Sequence, residues 1–138
     1  MISDYKGGCA CGAVRYEMSG TPIAQLLCQC QHCRQRSGTG HSAYLVFAQR
    51  DDLALTGAVK SWSVAGDSGH EKHHAFCPHC GAPVFVTFAA APQMVAIHPG
   101  SLDDPSLFAP QFVTYASRAQ SWDSMDAALQ KFATMPTG

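Results

Sequence analysis

Seven cysteines fall in three tight groups along the 138-residue chain: Cys9/Cys11, Cys28/Cys30/Cys33 and Cys77/Cys80. As metal ligands they divide most simply into four for one zinc and three for another. Four thiolates close a tetrahedral site and hold structure together, whereas three leave a fourth position for water, hydroxide or a substrate atom. The pattern predicts two zincs per chain, one structural and one open and labile, with any chemistry centred on Cys28, Cys30 and Cys33.

Cys77-Pro78-His79-Cys80-Gly81 is the sharpest local signal. A Cys-x-x-Cys turn aims two sulfurs at one point, and the glycine after it supplies the positive φ that such a knuckle tends to require. Cys9-Ala10-Cys11-Gly12, preceded by Gly7-Gly8, has the same character. Pairing these two half-sites clips the amino-terminal turn to a loop far along the chain, where a metal replaces missing core. The middle group packs three sulfurs into six residues and is nearly a site of its own. By residue type, His32, His41 or one of His70, His73 and His74 would serve as a closing ligand. The His70/His73/His74 cluster reads more simply as a polar strand or loop, and His98, ending an apolar strand, as a hydrogen-bonded core or edge residue.

Other uses of seven thiols fit less well. Disulfides leave one thiol over, and cysteines separated by a single residue bridge each other only with strain. A redox role for the thiols stays open. Iron accepts sulfur too, and an iron–sulfur cluster is a minor alternative to zinc. No apolar run has the form of a signal peptide or approaches the roughly 20 residues of a membrane span. The chain reads as cytoplasmic, where thiols stay reduced. Its net charge of −1, from nine basic and ten acidic residues, offers no basic footprint for nucleic acid and none for an anionic membrane.

The elements that must position these groups are short. Residues 1–138 suit a single zinc-binding domain. Segments rich in β-branched and aromatic residues, broken by Gly, Pro, Asp and Ser, predict a mainly β, mostly antiparallel fold. The strands fall at Ala13–Met18, Ile23–Leu27, Ser42–Phe47, Leu53–Thr56, Val59–Val64, Lys72–Phe76, Pro83–Phe88, Met94–His98 and Gln111–Tyr115. Near the end, Trp122, Met125, Leu129 and Phe132 recur at helical spacing, with Ser121 as a cap, predicting one short C-terminal helix. Apolar residues such as Tyr44, Phe47, Trp62 and Phe112 suit a core, a pocket wall or the face of a homo-oligomer equally.

Gly7-Gly8-Cys9-Ala10-Cys11-Gly12-Ala13-Val14-Arg15-Tyr16, Cys28-x-Cys30-x-x-Cys33-Arg34 with Ser37-Gly38, and Phe76-Cys77-x-x-Cys80-Gly81 together resemble the glutathione-dependent formaldehyde-activating enzyme family, which also contains the centromere protein V group. The resemblance takes in Gly100-Ser101-Leu102-Asp103-Asp104 and Tyr115-x-Ser117-Arg118-x-x-x-Trp122. It implies an Mss4-like β-tent of small antiparallel sheets stapled by zinc. It also implies Cys9, Cys11, Cys77 and Cys80 on the structural zinc and Cys28, Cys30 and Cys33 on the second. The implied activity is of carbon–sulfur lyase type, interconverting S-hydroxymethylglutathione with glutathione and formaldehyde. Many members carry His where this chain has Gln29, which cannot shuttle protons.

On that basis the expected chemistry is a zinc-assisted thiol–aldehyde reaction, with a small thiol such as glutathione as partner. Arg34 and Arg36 follow the trio, where guanidinium forks suit a carboxylate of that thiol. In a variant of the scheme one of the three thiolates leaves the metal and is itself the nucleophile. The alternatives are a non-catalytic zinc-binding module, or a thiol sensor that loses its metal on oxidation.

Overall fold

The computed structural model describes residues 4–136. Its regular elements are β1 (Tyr5–Gly8), β2 (Arg15–Met18), β3 (Ala24–Cys28), α1 (Gln31–Ser37), β4 (Ser42–Phe47), β5 (Leu53–Thr56), β6 (Lys60–Ala65), β7 (Glu71–Phe76), β8 (Pro83–Phe88), β9 (Val95–Ile97), β10 (Phe112–Thr114) and β11 (Gln130–Lys131). A small antiparallel sheet runs β1-β2-β5, and a large one runs β11-β10-β3-β4-β9-β8-β7-β6. Among the described residues no helix is long and apolar enough to cross a membrane.

Side-chain alternation assigns the two faces of the large sheet. On one face, Leu45 and Phe47 of β4 join Val95, Ile97 and Phe85, and meet Tyr16 and Met18 from the small sheet. These are almost fully buried, and each contributes about 1.5–3 kcal/mol by leaving water. Cys9 and Cys77 sit in this same cluster. On the other face the register aligns Ala24, Val46, Ala96, Val86, His74 and Trp62 across five strand pairings. Next to this row, Tyr44 packs against Leu26, and Cys28 lies opposite Ser42. The two cysteine clusters thus belong to opposite faces of one sheet.

The mainly β expectation holds, and Ser42–Phe47, Leu53–Thr56 and Pro83–Phe88 form as read from the sequence. The sheets are not all small and antiparallel: one has eight strands, and β10 pairs in parallel with both β3 and β11. The C-terminal helix expected over Trp122–Phe132 does not form. Asp126 Oδ1 accepts the Ala128 N–H at 2.9 Å, a turn that competes with helix. Phe132 N–H donates to Val113 O, and Ala116 N–H to Phe132 O, so the segment is drawn into strand-like pairing. Trp122, expected in the helix's apolar stripe, is 64% exposed. The helix that exists, α1, starts inside the cysteine trio.

Candidate metal and reaction centres

The first centre is built from two turns. Cys9 and Cys11 occupy the β1–β2 connection, and Cys77 and Cys80 the β7–β8 connection. Gly12 and Gly81 take φ of 84° and 77°, so each knuckle ends on the left-handed residue expected of it. The four sulfurs lie within 4.8 Å of one another. Cys9 to Cys11 is 3.6 Å and Cys11 to Cys77 is 3.8 Å. A tetrahedron with zinc–sulfur bonds of ~2.3 Å has edges of ~3.8 Å, so the spacing fits such a metal. Backbone N–H groups serve the sulfurs: Val14 N–H donates to Cys9 at 3.2 Å and His79 N–H to Cys77 at 3.4 Å. Against the penalty of burial, the Val14 bond and the neighbouring thiols draw the Cys9 thiol down to about 6. A thiol so biased releases its proton readily when a metal binds.

The second centre joins Cys28, at the end of β3, to Cys30 and Cys33 at the start of α1. All three are buried, and their sulfurs also lie within 4.8 Å of one another. Cys30 is the helix N-cap: its Sγ accepts the Cys33 N–H at 3.3 Å. Gly38 caps the far end in the left-handed conformation. The crowded thiols divide their charge unevenly. Bonds from Cys28 and Cys33 pull Cys30 down to about 2, whereas bonding to Cys30 pushes Cys28 up and bonding to Cys28 pushes Cys33 up. Three soft donors in that state match a thiophilic cation.

Polar side chains surround the trio on its face of the sheet. Tyr44 OH is 3.0 Å from Cys33 Sγ. Arg36 turns inward from α1 and bonds Tyr44, Ser42 and His98. His98 Nδ1 donates to Ala43 O at 3.1 Å, so its Nε2 is the acceptor for Arg36. Burial first, and then Arg36, hold His98 down to about 3, which keeps that neutral tautomer. His74, 4% exposed, stacks on Trp62 with ring centroids 4.4 Å apart. Neither of its ring nitrogens has a partner. Burial, then Arg36, Lys72 and His32, hold it down to about 3, with Cys30 pulling the other way.

A third group fixes the loop around the trio. Gln29, 1% exposed, donates from Nε2 to Asp123 Oδ2 at 3.0 Å. His41 Nδ1 lies 2.9 Å from Asp123 Oδ1. A Cβ at Gly40 would stand 2.2 Å from Asp123 Cγ, so a side chain there must displace Asp123. Gln29 is therefore a clamp between the trio and the C-terminal segment. A cleft of about 260 Å³ opens beyond α1, lined by Arg36, Ser37, His41, Ser42 and His98 among others.

The structure brings together each group of cysteines as the sequence paired them. Among the described residues no histidine joins the three-thiol cluster. His41 is bound to Asp123, His73 to Ser63, and His70 is exposed. His98 is the hydrogen-bonded residue expected, and Arg34 is half-exposed on α1. Tyr44, which the sequence offered equally to a core, a pocket wall or an oligomer face, touches the trio through its hydroxyl. His74, expected on the surface, is buried. The β7 register carries the signal for this, since alternation places His74 on the same face as Val86 and Ala96.

Two comparisons bear on these centres. The family model described as "Glutathione-dependent formaldehyde-activating enzyme" matches residues 4–118. The fold is similar to the crystal structure of a Rhodobacter sphaeroides protein solved as a structural genomics target. That match has a TM-score of 0.55 and 24% identity, and covers 71% of this chain and 87% of the other.

Proposed function

The chain belongs to the glutathione-dependent formaldehyde-activating enzyme family, and from that premise we propose that it is a zinc-dependent enzyme of carbon–sulfur lyase type. Its reaction interconverts S-hydroxymethylglutathione with glutathione and formaldehyde, and its setting is the cytoplasm, where thiols stay reduced. One observation carries the reading: one cluster offers four sulfurs, while the other offers three buried sulfurs that no fourth His, Cys, Asp or Glu joins among the described residues. Cys9, Cys11, Cys77 and Cys80 would hold a structural zinc, and Cys28, Cys30 and Cys33 a second, open one. When bound at the trio, zinc supplies a cation that favours thiolate over thiol and a position for a substrate atom.

In the synthetic direction the glutathione sulfur bonds to the formaldehyde carbon. The carbonyl π pair moves onto the oxygen, which takes up a proton in place of the one lost by the thiol. His74, held neutral, offers one N–H and one lone pair that the protein leaves unused. It would donate to the oxygen during addition and accept from the hydroxyl in reversal. Arg34 suits a carboxylate of glutathione, because Arg36 is committed to Tyr44, Ser42 and His98.

Exchange NMR on glutathione plus formaldehyde tests the reading. The adduct also forms spontaneously, so the expected result is acceleration by the wild-type chain that disappears in Cys30→Ser. No acceleration, or equal acceleration by the variant, would overturn it.

A further inference from the structure

Arg36 is a cation whose guanidinium points into the protein. Its Nη1 donates to His98 Nε2 at 2.6 Å, and its Nη2 donates to Ser42 Oγ at 3.1 Å and to Tyr44 OH at 2.5 Å. Its Nε is buried without a partner. The ion pairs among the described residues join Lys6 to Glu17, Arg15 to Asp103, His41 to Asp123 and Arg118 to Asp67, and none includes Arg36. An inward charge with no carboxylate calls for another anion. Every neighbour that Arg36 bonds is neutral, and two of the three lead to Cys33.

The first path ends on sulfur. Tyr44 OH accepts a hydrogen bond from Arg36, which leaves its own O–H to donate to Cys33 Sγ at 3.0 Å once that sulfur is a thiolate. The second path ends on the backbone, where Ser42 Oγ donates to Cys33 O at 2.9 Å. One guanidinium therefore governs both the sulfur and the main chain of a single cysteine. Cys30 Sγ, besides its thiol neighbours, accepts the backbone N–H of Cys33, at 3.3 Å.

We propose that Arg36 and Tyr44 are positioning residues that work in series, compensating the anionic three-thiolate centre through Cys33 rather than gripping the substrate. The inference rests on the reading that the trio holds a metal. Three thiolates around a dication carry a net charge of −1, which Arg36 offsets. A thiolate substrate would add a further negative charge, and the same cation eases its arrival. Cys33, bonded by a hydroxyl that a guanidinium backs, becomes less electron-rich than Cys30.

Metal retention separates this inference from a purely structural role. Zinc-loaded wild type, Tyr44→Phe, Arg36→Met and the double variant would be titrated with a chelator and followed by native mass spectrometry. Tyr44→Phe is expected to release one metal at a roughly 10–100-fold lower chelator concentration, as for other groups that support a metal ligand. The four-thiol metal and the melting temperature should stay in place, which controls for folding. The double variant should be no weaker than the more affected single one, because the two residues share a path. In cobalt-substituted protein, loss of the hydroxyl should move the sulfur-to-metal charge-transfer band to lower energy. Unchanged retention and an unmoved band in Tyr44→Phe would overturn the inference, as would fully additive losses in the double variant. A wild-type chain that binds only one metal would overturn the two-centre reading itself, and this inference with it.

Discussion

The two cysteine clusters lie on opposite faces of one sheet and differ in what donates to their sulfurs. At the four-thiol cluster the donors are backbone N–H groups of the two turns, from Val14 and His79. Two of its cysteines are exposed, and the other two are part of the main apolar cluster. At the three-thiol cluster a phenol linked to a guanidinium joins the backbone donor, and all three cysteines are buried. A backbone donor is fixed by the fold, whereas a side-chain donor backed by a charge tunes the sulfur it meets. The first arrangement suits a clamp and the second a reactive centre.

Breaking the clamp should have the largest effect. On the proposed scheme Cys77→Ser would remove a ligand that ties two hairpins together, and structural zinc sites supply folding energy outright. The expected loss is on the order of the whole stability of a domain, about 5–15 kcal/mol, seen as a collapse of the thermal transition in circular dichroism. Cys30→Ser in the other cluster should reverse the profile. Turnover falls by more than about 100-fold while stability moves by only about 1–2 kcal/mol, read from exchange NMR and urea titration on the same samples.

Smaller changes sharpen the contrast. His74→Phe should lower turnover by about 100-fold and leave both metals bound by mass spectrometry. It should also flatten the acid side of the stability curve. His74 is held near 3 in the folded protein against about 6.5 when free, so the unfolded chain takes up its proton first. Its contribution is fully present above pH 6.5 and falls as pH drops towards 3. The wild-type urea midpoint should therefore decline more between pH 7 and pH 5 than that of the variant. Gly40→Ala should displace Asp123 from Gln29 and His41, costing about 1–3 kcal/mol by overpacking, measured by urea titration.

Both clusters were legible from spacing alone, because ligand geometry is local: a knuckle is complete within a few residues. Strands of the large sheet were legible for a similar reason, with local β-branched and aromatic composition marking Ser42–Phe47 and Pro83–Phe88. What the sequence hid depends on distant pairing. The Trp122–Phe132 segment has helical spacing, yet its backbone bonds go to Val113 and Ala116. Helix α1 was concealed because Cys30 and Cys33 read as ligands of a loop, although Gly38 and the basic Arg34 and Arg36 are helix-ending signals. Tyr44 and His74 could be recognised only once the strand register had placed them on the face of the trio.

The most direct test of a closed centre beside an open one is cadmium-113 NMR of the fully substituted protein, recorded before and after adding glutathione. Two resonances are predicted. Glutathione should move only one of them, the same resonance that is lost in Cys30→Ser, while the other stays still. Movement of both resonances, or of neither, would contradict the division into a structural and a reactive centre.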